Sequence, residues 1–401
     1  MMKKQTSHIS LGQVADFRRG LTYAKGDEDV NGSIGVLRSI NIDLENSELD
    51  LREIKHLRSG FVVPYDKSVK KDSILICMSN GSYQHLGKVA YIDKDYPYAF
   101  GGFMGLILPN HEIVEPMYVY YALRSAEFKR FVESCGKGIN INNLKFSDLS
   151  HFLLPDYDQT GQIHVITELG LLDSIIRKKK EQLNILDELE MSVFYDSFGN
   201  PVTNNRDWET MKLSEITSLI TDGSHYSPKD DDMGTIPMLS VKNMGARGFD
   251  YTDCKMISQE EFKKLEAAGC NPMPDDVLVA KDGSYFKKIF VHHSEAPQAI
   301  LSSIAIVRPD QTKVTSEFLC SLLSTPDIYN LVEERYLTGT AIKRVILKGL
   351  RQLKIIVPPM DMQKQFSMKI WNINAQRRLI EESIVEAQKL FDSRMNYYFG
   401  D

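Results

Sequence analysis

A chain of 401 residues, 42% hydrophobic and 25% charged, is longer than one hydrophobic core usually organises, so two or more globular domains are expected and wholesale disorder is excluded. The net charge of −6 excludes a basic sheath but not a local patch: Arg335 to Met360 holds six Lys or Arg and no Asp or Glu. The five cysteines, Cys77, Cys135, Cys254, Cys270 and Cys320, lack Cys-x-x-Cys spacing and read as reduced thiols of a cytoplasmic protein.

The start, MMKKQTSHIS, has two lysines with no apolar stretch behind them and does not read as a secretory signal. ISLGQVADF (9–17) leads into a polar loop, RGLTYAKGD (19–27), and then LRSINI (37–42). The strand-like DSILICMS (72–79) runs into the turn NGSY (80–83), followed by a short alternating strand, GKVAYID (87–93). The longest nearly uncharged apolar run, AFGGFMGLIL (99–108), is about half of what spanning a bilayer needs, so no membrane segment is expected. VYYALRSAEFKRF (119–131) has the spacing of an amphipathic helix, and GKGININNLK (136–145) is rich in asparagine. Asn-Gly-Ser at Asn31 and Asn80 reads as two turns.

After Pro155 the chain has no proline and one mid-segment glycine, Gly170, over more than 35 residues, the pattern of a long helix. Val165, Leu169, Leu172, Ile176, Leu183, Leu186 and Val193 follow alternating steps of three and four, with Lys179 and Glu190 in the same seam. The tetrad Arg177–Lys180 reads as a solvated helix face.

The second half repeats this order about 200 residues later. MKLSEITSL (211–219), TDGSHYSPKDDDMGTIPML (221–239), LSVKNM (239–244), DDVLVAK (275–281), DGSY (282–285) and LCSLLSTPDIYNL (319–331) match the segments above, with TGTAIKRVILK (338–348) basic where the first copy is asparagine-rich. After Pro358 and Pro359 a second long helix runs free of glycine and proline until Gly400. Its seam holds Phe366, Ile370, Ile373, Ile380, Ile384, Ala387 and Phe391, with Arg377 in one seam position; a shift of 201 superposes the two registers. A period this long is tandem duplication of a whole domain rather than a solenoid. Each copy mixes short strands, turns and helix, and the two heptad helices most simply pair with each other.

Catalytic patterns are missing. There is no Gly-x-x-x-x-Gly-Lys-Ser/Thr loop, no Gly-x-Gly-x-x-Gly after a strand, no His-Glu-x-x-His and no Gly-x-Ser-x-Gly. Asn271-Pro272-Met273-Pro274 lacks the Pro-Pro-aromatic end of an amino-methyltransferase loop, and no Pro-Asp pair is followed by the Asp/Glu-x-Lys of a metal nuclease. A lone serine or tyrosine in NGSY or DGSY needs a base or charged partner close by in space, and nothing in either loop marks one; as binding loops they supply close backbone approach, hydrogen bonds and a tyrosine for stacking or phosphate contact. The bland alternative is a β-turn with a packed tyrosine.

Two tandem domains, each followed by a long helix, resemble the specificity subunit of type I DNA restriction-modification systems, over essentially the whole chain. The Asp222-Gly223-Ser224-His225 loop with Gly234-Thr235-Ile236-Pro237 is similar to the family's Asp-Gly-Ser/Thr-His-x-x-Pro loop and Gly-Ile-Pro, and Pro358-Pro359 with Gln363 to its helix-opening junction. The first copy departs from both: RGLTYAKGD has no histidine, and FLLPDYDQTGQI has one proline and a differently spaced glutamine. The resemblance implies an α+β fold: target-recognition domain 1 over 1–156, a central long helix over 157–200, target-recognition domain 2 over 201–357 and a carboxy-terminal long helix over 358–401, the helices forming an antiparallel coiled coil. It implies a prokaryotic, cytoplasmic chain without catalysis or cofactor of its own. Each domain would read half of a bipartite, asymmetric site in double-stranded DNA. Two methyltransferase subunits using S-adenosylmethionine would dock on the helices, joined by endonuclease/translocase subunits using ATP and Mg.

Polar, aromatic and cationic loop residues are the candidates for DNA contact. In the first copy these are Tyr23, Lys25, Arg38, Asn41, Asn80, Ser82, Tyr83, Gln84, Lys137, Asn140, Asn142 and Asn143. In the second they are Ser224, His225, Tyr226, Lys242, Asn243, Lys281, Ser284, Tyr285, Lys287, Thr340, Lys343, Arg344 and Lys348. Competing readings are a coiled-coil scaffold with duplicated protein-binding domains, separable by salt-sensitive DNA binding, and a self-sufficient modification enzyme, which would itself bind S-adenosylmethionine.

Overall fold

The computed structural model describes residues 7–135, 143–283, 285–338 and 344–400. In the first copy the strands are β1 (His8–Ser10), β2 (Ala15–Arg19), β3 (Ile34–Leu37), β4 (Lys55–Leu57), β5 (Ile74–Cys77), β6 (Val89–Tyr91), β7 (Tyr98–Phe100), β8 (Met104–Pro109) and β9 (Leu153–Pro155). Its helices are α1 (Leu11–Val14), α2 (Pro116–Ala122), α3 (Ala126–Cys135) and α4 (Phe146–Leu149), followed by the long α5 (Gln159–Phe198). The second copy holds β10 (Thr210–Lys212), β11 (Thr217–Asp222), β12 (Ile236–Leu239), β13 (Lys255–Ile257), β14 (Val277–Ala280), β15 (Ile289–Val291), β16 (Ala299–Ile300), β17 (Ile304–Pro309), β18 (Leu337–Thr338), β19 (Arg344–Val345) and β20 (Lys354–Ile356). Its helices are α6 (Gln259–Ala267), α7 (Ser316–Leu323), α8 (Pro326–Arg335) and α9 (Leu347–Gln352), followed by α10 (Met360–Phe399).

Two compact units result, Met1–Lys180 with Glu382–Asp401, and Glu181–Glu381. In unit 1 an antiparallel sheet has the order β2-β8-β5-β6 and a smaller sheet the order β4-β3-β7, in which β3 and β7 run parallel. Unit 2 repeats both orders, β11-β17-β14-β15 and β13-β12-β16, with β12 and β16 parallel. The central strands β5 and β14 are apolar throughout because both faces are covered. In unit 1 Ile74 and Ile76 face a core with Tyr118, Tyr121 and Phe128, while Leu75 and Cys77 face Leu37, Ile42 and Phe100.

The helix seams complete these cores. In unit 1, Val165, Leu169, Leu172 and Ile176 of α5 share the main core with Phe391, Met395 and Tyr398 from the end of α10. In unit 2, Leu186, Phe194 and Phe198 from the end of α5 share theirs with Phe366, Ile370 and Ile373 from the start of α10. Both pairings are antiparallel, and both helices follow the registers expected from the sequence. The polar seam positions Glu190 and Arg377 come together: Arg377 is 4% exposed and its Nη1 lies 2.6 Å from Asp187 Oδ1, its Nη2 3.6 Å from Glu190 Oε2.

Three expectations change. The stretches expected as single amphipathic helices are each two helices, α2–α3 and α7–α8. Pro326 has no N–H to continue a helix, and Thr325 Oγ1 accepts from Ile328 N; Ser125 Oγ does the same for Phe128 N in unit 1. The helix-opening glutamines are equivalent despite their different flanks. Gln162 accepts from Glu115 N and donates to Tyr157 O, while Gln363 accepts from Thr315 N and donates to Pro358 O and Lys313 O, all buried or nearly so. The tetrad Arg177–Lys180 is not simply solvated. Lys180 Nζ lies 2.6 Å from Glu45 Oε1 and 2.8 Å from Asn46 Oδ1, and Arg177 Nη1 3.7 Å from Glu48 Oε1.

Candidate nucleic-acid interface

Backbone hydrogen bonds align the two units residue by residue. Gly20 N donates to Met104 O and Leu21 N to Phe100 O; Gly223 N donates to Ile304 O and Ser224 N to Ile300 O. Arg19-Gly20-Leu21-Thr22-Tyr23 is therefore the counterpart of Asp222-Gly223-Ser224-His225-Tyr226, although the two share little sequence. Glycine is required at the second position, since a Cβ there would run into the carbonyl of Gly101 in one unit and Ile300 in the other. The tyrosine tetrapeptides align differently from their sequence match. Ser79, not Asn80, is the counterpart of Asp282: both follow the central strand by two residues and bridge Asn143 and Arg344 respectively. From Cys77 to Lys88, whose carbonyl Cys77 N meets, the loop is longer than from Ala280 to Lys288, so NGSY and DGSY sit one step out of register.

In unit 1 four separated segments meet at a cleft of about 630 Å³ lined by Tyr23, Glu28, Arg38, Ile40, Asn80 and Phe103, among others. A neighbouring cleft of about 320 Å³ shares Ser79, Gly102, Phe103 and Met104 and adds Arg19, Asn143 and Lys145. Arg38 Nη2 contacts Glu53 Oε1 at 3.3 Å, and its buried Nε has no partner among the described residues. Asn80 Nδ2 donates to Ser39 Oγ while its Oδ1 accepts from Ser82 N, fixing the loop. Burial, then the carboxylate of Glu28, pushes the Tyr23 phenol above its usual range. Lys25, Ser82, Gln84 and Asn143 are exposed, and Tyr83 lies in the short helical turn Tyr83–His85.

Asn41 is 1% exposed: its Oδ1 accepts from Arg38 N and its Nδ2 donates to the carbonyls of Asp50 and Glu53, so it shapes the loop from inside. Asn243 repeats this with Ser240 N and Asp250 O. Beneath both loops a lysine reaches a carbonyl, Lys88 to Ile42 O and Lys288 to Met244 O; burial lowers the Lys88 pKa.

In unit 2 the equivalent surface is charged. Lys281 is 9% exposed and its Nζ lies 2.8 Å from Asp222 Oδ2, whose other oxygen is 3.5 Å from His225 Nε2. Ser224 Oγ is tied to the backbone of Tyr226, whose ring is exposed. Lys242, Lys287, Arg344 and Lys348 are exposed, and Arg344 Nε is 3.8 Å from Asp282 Oδ1. Tyr285 is buried, stacked on Tyr329, and donates to Glu333 Oε1, the packed-tyrosine alternative. Lys137, Asn140, Asn142, Ser284, Thr340 and Lys343 lie outside the described residues. Arg19, Ile40, Phe103 and Lys145 line the clefts but were not among the candidates. Phe103 offered a signal, a bulky aromatic after a glycine pair, hidden because it sits in an apolar run.

Among the described residues no group of His, Cys, Asp or Glu could hold a metal ion, and no helix is long and apolar enough to cross a membrane. Two copies of one sheet framework, each presenting a different set of side chains and each closed by antiparallel heptad helices, make this a duplicated two-domain protein. The chain matches, over residues 4–184, the model of the type I restriction modification DNA specificity domain. It is 22% identical over 397 residues to the type I restriction enzyme EcoKI specificity subunit of Escherichia coli K12, covering 94% of this chain and 84% of that one. The fold is shared with the S subunit of a type I restriction-modification system from M. genitalium, with a TM-score of 0.56, 14% identity and coverage of 98% and 96%. It is also shared with a chain from a structure describing complex assembly and conformational transition of the type I R-M system, with a TM-score of 0.51, 14% identity and full coverage of both chains.

Proposed function

We propose that this chain is the sequence-recognition subunit of a type I restriction-modification complex and reads a bipartite, asymmetric DNA site, one domain per half-site. Residues 1–156 and 201–357 act as the two target-recognition domains, and the helices of 157–200 and 358–401 act as spacer and docking platform. The observation that carries this reading is the repeated framework with different cleft side chains: Arg19, Met78 and Asn143 in unit 1 stand where Asp222, Lys281 and Arg344 stand in unit 2. A shared frame with divergent contacts is what reading two different half-sites requires. The chain does no chemistry itself; two methyltransferase subunits bring S-adenosylmethionine, and endonuclease/translocase subunits bring ATP and Mg. A helix of 40 residues rises about 60 Å, longer than the 34 to 36 Å of one DNA turn, which suits a spacer.

The test is the methylation pattern of a host expressing this chain with its modification subunit. A two-part motif with a non-specific gap is expected, and replacing residues 1–156 by another such domain should change one part only. A continuous palindromic motif, or both parts changing together, overturns the reading.

A further inference from the structure

Phe103 is 73% exposed and Ile40 48% exposed, and both line the larger cleft of unit 1. Neither sits on loose chain. The Phe103 carbonyl accepts from Met78 N and Ser79 N, and Met104 N closes the turn onto Gly101 O, while Ile40 lies in the one-turn helix Ser39–Asn41 anchored by buried Asn41. The framework itself does not require apolar groups here. At the same places unit 2 carries Ser303, whose Oγ accepts from Val241 N, and the exposed Lys242. Two rigidly presented apolar side chains are thus held in water at a site where the sister domain is polar. Around them stand Arg38 and Asn80 in the same cleft, and Arg19, Asn143 and Lys145 in the adjoining one. Arg19 and Lys145 are exposed and form no ion pair among the described residues, which fits them to phosphates.

Across the major groove the base edges are polar except for one group, the C5-methyl of thymine. Resting on the function proposed above, we propose that Ile40 and Phe103 are specificity-determining residues of the first domain and contact a thymine methyl in its half-site. The amide of Asn143 lies beside Phe103 in the adjoining cleft, and an amide is the side chain that pairs with the N6 and N7 edge of adenine. An A·T pair in the first half-site is the target this combination fits, and the second domain, with Lys242 and Ser303, has no counterpart to it.

The test uses the full chain assembled with its modification subunits, on duplexes carrying the motif found by methylation. Each thymine of the first half-site is replaced in turn by deoxyuridine, which removes only the methyl. At one position at least, affinity should fall about fourfold, the loss of one buried methyl-sized group. Phe103→Ala should abolish that penalty, Phe103→Leu should preserve it, and deoxyuridine in the second half-site should not produce it. The proposal is overturned if the first half-site contains no A·T pair, if no thymine responds, or if Phe103→Ala responds as the unaltered chain does. It is equally overturned if Phe103→Ala changes only DNA bending, the mark of a wedge between bases. A complex that does not prefer its motif over unrelated duplex would instead sink the function on which this rests.

Discussion

One layer of the helix seam is built in opposite ways in the two units. In unit 2 it holds Arg377 with Asp187 and Glu190, and Arg247 from the domain loop reaches the same acids, at 2.6 Å from Asp187 Oδ1 and 2.9 Å from Glu190 Oε2. In unit 1 the positions one repeat away from Arg377 and Glu190 are Ile176 and Phe391, both in the apolar core. The domain loop there carries Glu45 onto Lys180 and Glu48 onto Arg177, so the charges that tie loop to helix are reversed between units. Equivalent architecture thus rests on an ionic layer in one unit and an apolar layer in the other. Complementary charge favours each loop on its own helix segment and opposes the exchange, because like charges would meet.

Arg377→Ala is the severest break in this comparison, removing a buried guanidinium from two acids that are then left to share Arg247. A loss of about 3 kcal/mol is expected, near the lower end for breaking a buried pair because Arg247 still holds Glu190. Unfolding in urea measures it, and the double substitution Arg377→Ile with Glu190→Phe, which copies unit 1, should recover the loss. Recovery would show that the ionic layer is dispensable for stability; failure would show that the two seams are not interchangeable.

Next come the glutamines. Gln363→Ala strips three backbone partners and Gln162→Ala two, so each should cost about 1 to 3 kcal/mol, with the larger loss at Gln363. Equal losses would argue that one shared bond dominates. Smaller still is the loop contact. Lys180→Glu should cost up to about 1 kcal/mol, as for a half-exposed pair, and Glu45→Lys in the same chain should restore it.

The smallest effect is one of pH. His292, 3% exposed and bonded through Nε2 to Gln298, occupies in unit 2 the place of Ile92 in unit 1. Burial lowers its pKa, so the folded state resists a proton that the unfolded state accepts. The resulting stability is complete above the unfolded value of about 6.5 and declines as pH falls through that value toward the lower folded one. Thermal melts between about pH 7 and pH 5 should show this decline, and His292→Ile should flatten it.

The duplication, both long helices and the heptad seam were legible in the sequence because helix periodicity is local and repeats declare themselves. Glu190 and Arg377, two of the three polar seam residues, stand out in the sequence although only the structure shows their pairing. The candidate interface was less legible. Arg38, Asn80 and Asn143 were named, yet Asn41 and Tyr285 turned inward, since a polar side chain in a loop serves the loop's own backbone as readily as the solvent. Phe103 escaped because it lies in an apolar run that reads as core, and Ile40 because an aliphatic side chain between Ser39 and Asn41 is not a polar or cationic contact. The match of NGSY with DGSY marked the right loops in the wrong register, for the two loops differ in length and only hydrogen bonds to β5 and β14 fix the alignment.

Sequence alone determined that this protein is one domain written twice with a heptad helix after each copy, because spacing along a chain dictates which side of a helix or strand is apolar. Tertiary structure alone decided which loop residues meet in a cleft, which polar groups are turned inward, and which apolar ones are left facing water. Those outcomes depend on contacts between segments far apart in the chain, and no local pattern encodes them.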